Sequence, residues 1–179
     1  MTGEKIYWYI LFVRTGTEEQ LAKRLKYSLG NCGFQPFVPK KTCVFRRQGK
    51  KSLFQKICFP GYVFIESDKP TMEFIEVAFP TIDKDKDAYR FLCYGNKDDI
   101  AMREGERLIL SRIFANNYCI DISKGFKEGD TVKIISGALM GHESMIMSIN
   151  KGRKKAVIEV QMFGTIVAVS VGLEVIEKI

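Results

Sequence analysis

The hydrophobic pattern of this chain changes its period once, near Lys124-Gly125, and that change limits the fold more than any single motif. Up to residue 119, strand-like apolar runs alternate with segments of helical spacing. From Phe126 onward only short β-type runs remain, at Thr131–Ser136, Ser144–Asn150, Lys155–Gln161, Thr165–Ser170 and Leu173–Ile176, with Gly-rich turns between them. Five short strands in so few residues predict a small SH3-like β-barrel, in which closure removes exposed edges. The expected organisation is therefore α+β, with residues 1–119 as an α/β domain, 120–125 as a linker and 126–179 as the barrel.

Within the first part, Ile6–Val13 (IYWYILFV) is apolar on both alternating faces, which predicts a central strand covered on each side. Thr17, with Gln20 three residues later, predicts a capping box. The helix it opens turns Ala22, Leu25 and Leu29 inward and stops at Gly30-Asn31. Phe34–Pro39 reads as a short extended piece. Gln48-Gly49-Lys50-Lys51, between Thr42–Arg47 and Ser52–Ile57, predicts a β-hairpin. Tyr62–Glu66 is the next core strand, and Pro70 opens a helix to about Val77 that Phe79-Pro80 closes. Thr81–Asp87 predicts an exposed loop, Tyr89–Tyr94 a strand, and Asn96–Phe114 a last helix despite Gly105.

Several function classes are disfavoured. No apolar run approaches the length of a membrane span, and Met1–Lys5 lacks the pattern of a signal peptide, so a cytoplasmic protein is expected, and a monomer is the expected state. The five cysteines stand far apart without a Cys-x-x-Cys pair, and His142 is the only histidine. That is a poor set for a structural zinc site and favours free thiols. No Gly-rich phosphate loop and no convincing Cys–His pair is present, so neither a metal, a cofactor nor an enzyme is expected.

The formal charge of +7 points to a polyanionic partner. Residues 40–56 hold seven Lys and Arg and no acidic residue. At the hairpin tip, Arg46, Arg47, Lys50 and Lys51 are candidate contacts to nucleic-acid phosphates, rewarded by counterion release. A second basic turn, Asn150–Lys155, offers Lys151, Arg153, Lys154 and Lys155. A solvated surface remains the alternative for both clusters. Phe45 and Phe54 supply either aromatic surface interleaved with these charges or the packed face of the hairpin, and the packed face is the favoured expectation.

Phe59-Pro60-Gly61-Tyr62 predicts a rigid turn, with Pro fixing φ and Gly accepting φ > 0, followed by an apolar strand. Together with Trp8-Tyr9, Phe126–Ile134 (FKEGDTVKI) and Met162-Phe163-Gly164, in that order, this turn makes the chain resemble the NusG family of transcription elongation factors. The resemblance implies an N-terminal antiparallel sheet flanked by helices and a C-terminal KOW barrel. It implies docking on the RNA polymerase clamp through Trp8, Tyr9, Phe59, Pro60, Tyr62 and Phe64, which disfavours paused states. Val63 is expected to face opposite to Tyr62 and Phe64, and Trp8 to sit in the core. On the KOW domain the implied partner surface is Leu139, His142, Phe163 and Thr165. Housekeeping members tend to carry Phe and Arg where His142 and Thr165 align, and Ser144 replaces a family Gly. These departures weigh against contact with the ribosomal small-subunit protein or Rho. They point instead to an operon-specific antiterminator of the RfaH or LoaP sort, recruited by upstream DNA or a nascent RNA hairpin. The alternative is an RNA-binding or ribosome-associated KOW module without polymerase docking.

Overall fold

The computed structural model describes residues 5–47, 49–129 and 131–176, without the side chains of Arg46, Arg47 and Asn116. Asp130 of the KOW opening lies outside the described residues. In chain order the elements are β1 (Tyr7–Val13), α1 (Glu18–Leu29), β2 (Phe34–Phe37), β3 (Lys40–Arg47), β4 (Lys50–Ile57), β5 (Tyr62–Ser67), α2 (Thr71–Ile82), β6 (Ala88–Phe91), α3 (Glu104–Phe114), β7 (Cys119–Ile120), β8 (Ser123–Glu128), β9 (Thr131–Ser136), β10 (Ile146–Asn150), β11 (Lys155–Met162) and β12 (Thr165–Ile176). They form two compact units: Met1–Val38 with Phe59–Arg107, and Pro39–Cys58 with Leu108–Ile179.

In the first unit, an antiparallel sheet runs in the order β2-β5-β1-β6. β1 is an inner strand, as its two-faced apolar run predicts. Tyr9, Leu11 and Val13 of β1 and Val63 and Ile65 of β5 share one core with Leu21, Leu25 and Leu29 of α1 and Phe74, Ala78 and Ile82 of α2. Each such buried side chain contributes on the order of 2 kcal/mol through removal of apolar surface from water.

Five local expectations fail. Thr17 makes no side-chain cap; its hydroxyl donates to the Arg14 carbonyl instead. Gly30 is right-handed, so the chain continues through a 3₁₀ turn at Gly30–Cys32 and stops at Gly33, whose φ is 82°. α2 runs through Pro80 to Ile82, because Phe74, Ala78 and Ile82 repeat every four residues on the buried face. Burying Ile82 offsets the single hydrogen bond that Pro80 cannot donate. Asp85 and Asp87, expected in a free loop, both receive the Arg24 guanidinium at 2.8 Å. α3 begins only at Glu104, and Ala101 bridges to Tyr9 in the sheet instead.

The second unit contains a curled five-stranded sheet, a half-barrel, in the order β10-β11-β12-β8-β9. The expected number of strands is met differently. Thr165–Ser170 and Leu173–Ile176 merge into β12, and β8 adds a strand that pairs parallel with it. Residues 120–125, read from sequence as a linker, run from the end of β7 into β8. Ala156, Ile158 and Val160 alternate inward along β11, as do Val169, Val171 and Leu173 along β12. Gly137 has a φ of 96°, and a Cβ there would lie 2.5 Å from the Ser123 Cα, so no other residue fits. A separate three-stranded sheet, β4-β3-β7, carries the hairpin, with β3 parallel to β7.

Candidate functional site

The aromatic turn is built as its residues predict and is anchored by one residue the sequence reading passed over. Gly61 has a φ of 85°, and its N–H donates to Glu18 Oε1 at 2.7 Å. The other Glu18 oxygen accepts from the Gly16 N–H at 2.8 Å. The Glu18 side chain is buried. Val13 N–H donates to the Gly61 carbonyl, joining the turn to the end of β1. A single carboxylate thus ties the start of α1 to the turn, and a Cβ on Gly61 would press within 3.3 Å of Thr15 Oγ1.

The six aromatic-turn candidates separate into distinct environments. Tyr9 belongs to the helix-covered core, stacked on Phe74 at 3.6 Å, with its hydroxyl donating to the Lys69 carbonyl. Burial pushes its pKa up to about 12. On the other sheet face Trp8, Phe59 and Phe64 are all buried: Trp8 and Phe64 pack on Phe37 and on each other, and Phe59 on Phe64, at ring distances of 5.3–6.0 Å. Trp8 Nε1 donates to Glu66 at 2.9 Å. Val63 faces the helices, opposite to Tyr62 and Phe64.

Only Pro60 and Tyr62 of the six reach the surface. The register sets Phe12 opposite both Tyr62 and Arg90. The Phe12 ring lies 5.6 Å from Tyr62 and 5.4 Å from the exposed Tyr89, with the Arg90 guanidinium 6.0 Å from its centroid. Tyr89 and Arg90 also border a cavity of about 520 Å³ with Phe79, Ile82 and Phe91 in its wall. Phe12, Tyr89 and Arg90 were not singled out from sequence, since only strand pairing brings residues so far apart in the chain into one row.

The two basic clusters converge on one carboxylate. Lys51 Nζ lies 2.6 Å and Lys154 Nζ 3.1 Å from Glu174 Oε1. Those two lysines hold the Glu174 carboxyl down to about pH 2. Lys50, Lys151, Arg153 and Lys155 are exposed. The register places Arg46 opposite Lys51 and Arg47 opposite Lys50, and the side chains of Arg46 and Arg47 lie outside the described residues. Phe45 and Phe54 do not form a packed face: they are 52% and 38% exposed and meet edge to face at 6.4 Å.

Of the implied KOW partner surface, Leu139 is fully buried, its N–H donating to Ser123 Oγ at 2.9 Å. His142 and Phe163 are half-buried and Thr165 is exposed. Phe163 occupies a left-handed turn with a φ of 53°, beside Gly164 at 71°. Among the described residues, no group of three His, Cys, Asp or Glu side chains is placed to hold a metal ion. No helix of these residues is long and apolar enough to cross a membrane.

Comparison with known proteins adds four matches. The family model described as NusG, transcription termination factor nusG, matches residues 6–110. The transcription termination/antitermination protein NusG of Thermus thermophilus is 29% identical over 89% of this chain and 91% of its own length. That of Borreliella burgdorferi is 28% identical over 96% of this chain and 98% of its own. A solved structure described as domain interaction in Thermotoga maritima NusG aligns with a TM-score of 0.49 at 22% identity, covering 94% of each chain.

Proposed function

The chain belongs to the NusG family, and from that premise we propose that it is a cytoplasmic transcription elongation and antitermination factor that docks on the RNA polymerase clamp. Members of this family are transcription factors that act with RNA polymerase. The observation that carries the docking reading is the accessible row of Phe12, Tyr62 and Tyr89 with Arg90, beside Pro60 and an open cavity. Aromatic and arginine anchors next to a fillable pocket, ringed by polar groups, are what concentrates binding energy at a protein interface. On the same sheet face Trp8, Phe59 and Phe64 form a buried aromatic cluster, and on the opposite face Tyr9 braces the sheet against α2.

The mechanism is differential binding. A factor that prefers the elongating conformation of polymerase over the paused one shifts the population toward elongation by its difference in affinity. Lys50, Arg46 and Arg47 of the β3–β4 hairpin and Lys151, Arg153 and Lys155 of the turn after β10 then supply nucleic-acid contacts that restrict action to particular transcripts, while Lys51 and Lys154 are held by Glu174. Binding of purified polymerase to immobilised protein tests the reading. Tyr62→Ala and Tyr89→Ala are expected to weaken capture while the melting temperature stays unchanged. Normal capture by the folded double variant would overturn the docking assignment.

A further inference from the structure

The hairpin of β3 and β4 has two faces, and the strand alternation assigns every residue to one of them. Thr42, Lys51 and Gln55 share the first face. Thr42 Oγ1 donates to Asp121 at 2.9 Å, Gln55 Nε2 contacts Cys119 Sγ at 3.6 Å, and Lys51 pairs with Glu174. Leu53 on this face is exposed, but these three contacts tie the hairpin to the rest of its own unit. The opposite face carries Phe45 and Phe54 in the diagonal cross-strand position, flanked by Lys50 and Lys56. Lys56 Nζ rests 5.4 Å from the Phe54 ring centroid. Both rings and both lysines are exposed.

Two facts separate this face from an ordinary solvated one. Large exposed aromatics on a two-stranded ribbon are costly to hydrate, and here they are held outward because the other face is tied down by hydrogen bonds and an ion pair. Lys41 also stands directly opposite Lys56 in the ladder, a like-charge pairing that weakens an isolated hairpin. Inward, Lys51 has Glu174 to neutralise it. Outward, no acidic residue between positions 40 and 56 does the same for Lys50 and Lys56. An anionic, flat ligand satisfies rings and lysines together.

We propose that the outward face of this hairpin is a stacking site for unpaired bases of a nucleic-acid strand, with Phe45 and Phe54 as platforms and Lys50 and Lys56 on the flanking phosphates. Base–aromatic stacking tolerates any base, so this face supplies affinity for single-stranded segments and leaves sequence preference to other contacts. The proposal rests on the nucleic-acid reading of the basic clusters, and its test keeps the two apart. The full chain is titrated with fluorescein-labelled oligouridine, oligothymidine and a blunt duplex at several salt concentrations. Wild type binds the single strands more tightly than the duplex, and a preference for oligouridine over oligothymidine identifies RNA as the source. Phe45→Ala and Phe54→Ala each weaken single-strand binding on the order of tenfold at every salt concentration, with the salt slope unchanged. Phe45→Trp keeps wild-type affinity. Lys50→Gln and Lys56→Gln each reduce the slope by about 0.7. Alanine variants that bind as wild type, or tighter binding of the duplex, overturn the stacking site while leaving phosphate binding in place. Alanine variants that lose polymerase capture but keep oligonucleotide affinity make the face a protein contact and overturn it too. A wild type that binds none of the probes removes the nucleic-acid reading itself.

Discussion

Glu18 and Tyr62 sit at one turn but take different parts in the proposed docking, one positioning and one contacting. Glu18 is buried and accepts two backbone N–H groups, so it holds the aromatic turn without reaching a partner. Replacing it with Ala leaves the Gly16 and Gly61 donors unsatisfied, and an unmade buried hydrogen bond costs about 1–3 kcal/mol. Glu18→Ala should therefore lower stability by about 2 kcal/mol in chemical denaturation and weaken polymerase capture only as far as the turn loosens. Tyr62→Ala should do the reverse, costing about 1–3 kcal/mol of binding at nearly constant stability. Phe64 is fully buried among Trp8, Phe37 and Phe59, so Phe64→Ala should cost about 3–5 kcal/mol of stability. A soluble, wild-type-stable Phe64→Ala variant would show that the aromatic cluster is not packed as described.

At the scale of elements, the β3–β4 hairpin depends on a carboxylate that lies more than a hundred residues away in sequence. Lys51 and Lys154 depress the pKa of Glu174, so its ionised form is the one the fold stabilises. A group with a depressed folded pKa contributes fully above its unfolded value, about 4.3, and loses that contribution as pH falls toward about 2. The protection factors of the hairpin amides, referred to the intrinsic exchange rate at each pH, should therefore fall across that acid window in wild type. In Glu174→Gln they should already be low at neutral pH and show no such step. Equal protection in the two proteins would mean that the ion pairs do not hold the hairpin. The hairpin itself was legible in the sequence, because Gln48-Gly49 punctuates two β-type runs. Its partner strand β7 was not, since two residues carry no period, and parallel pairing leaves no local signal. The end of α2 was misread for a related reason: Phe79-Pro80 is a strong local stop, and only the burial of Ile82 overrides it. Tyr62 and Pro60 could be singled out as candidates because they sit in a motif. Phe12 and Arg90 belong to the same surface but become neighbours only through the β1 register.

For the molecule as a whole, the proposed docking row lies in one compact unit and the basic hairpin and turn in the other, so on this proposal polymerase binding and nucleic-acid binding are separable by mutation. Tyr62→Ala with Tyr89→Ala should reduce polymerase capture and leave oligonucleotide affinity at the wild-type value. Lys151→Gln with Lys155→Gln should do the opposite, and the combined variant should lose both. The unit boundaries are tested by limited trypsin digestion. Lys124 lies in β8, with Ser136 of β9 beside it on one side and Glu174 of β12 on the other. A strand paired on both edges cannot enter a protease cleft without local unfolding. The turn that follows β10 is exposed and carries Lys151 and Arg153 within three residues. Mass spectrometry of the earliest fragments should thus report cleavage at Lys151 or Arg153 before any at Lys124. Early cleavage at Lys124, with two stable products, would instead establish residues 120–125 as a linker and residues 126–179 as a domain that folds without β7 and the hairpin. Expression of residues 108–179 and 126–179 as separate fragments resolves the same point from the other direction. The shorter one lacks Ser123, Lys124 and Gly125, which pair with Leu173, Glu174 and Val175 of β12. It should melt well below the intact protein, while addition of a peptide spanning residues 39–58 should stabilise the longer fragment, whose β7 and Glu174 remain to receive the hairpin.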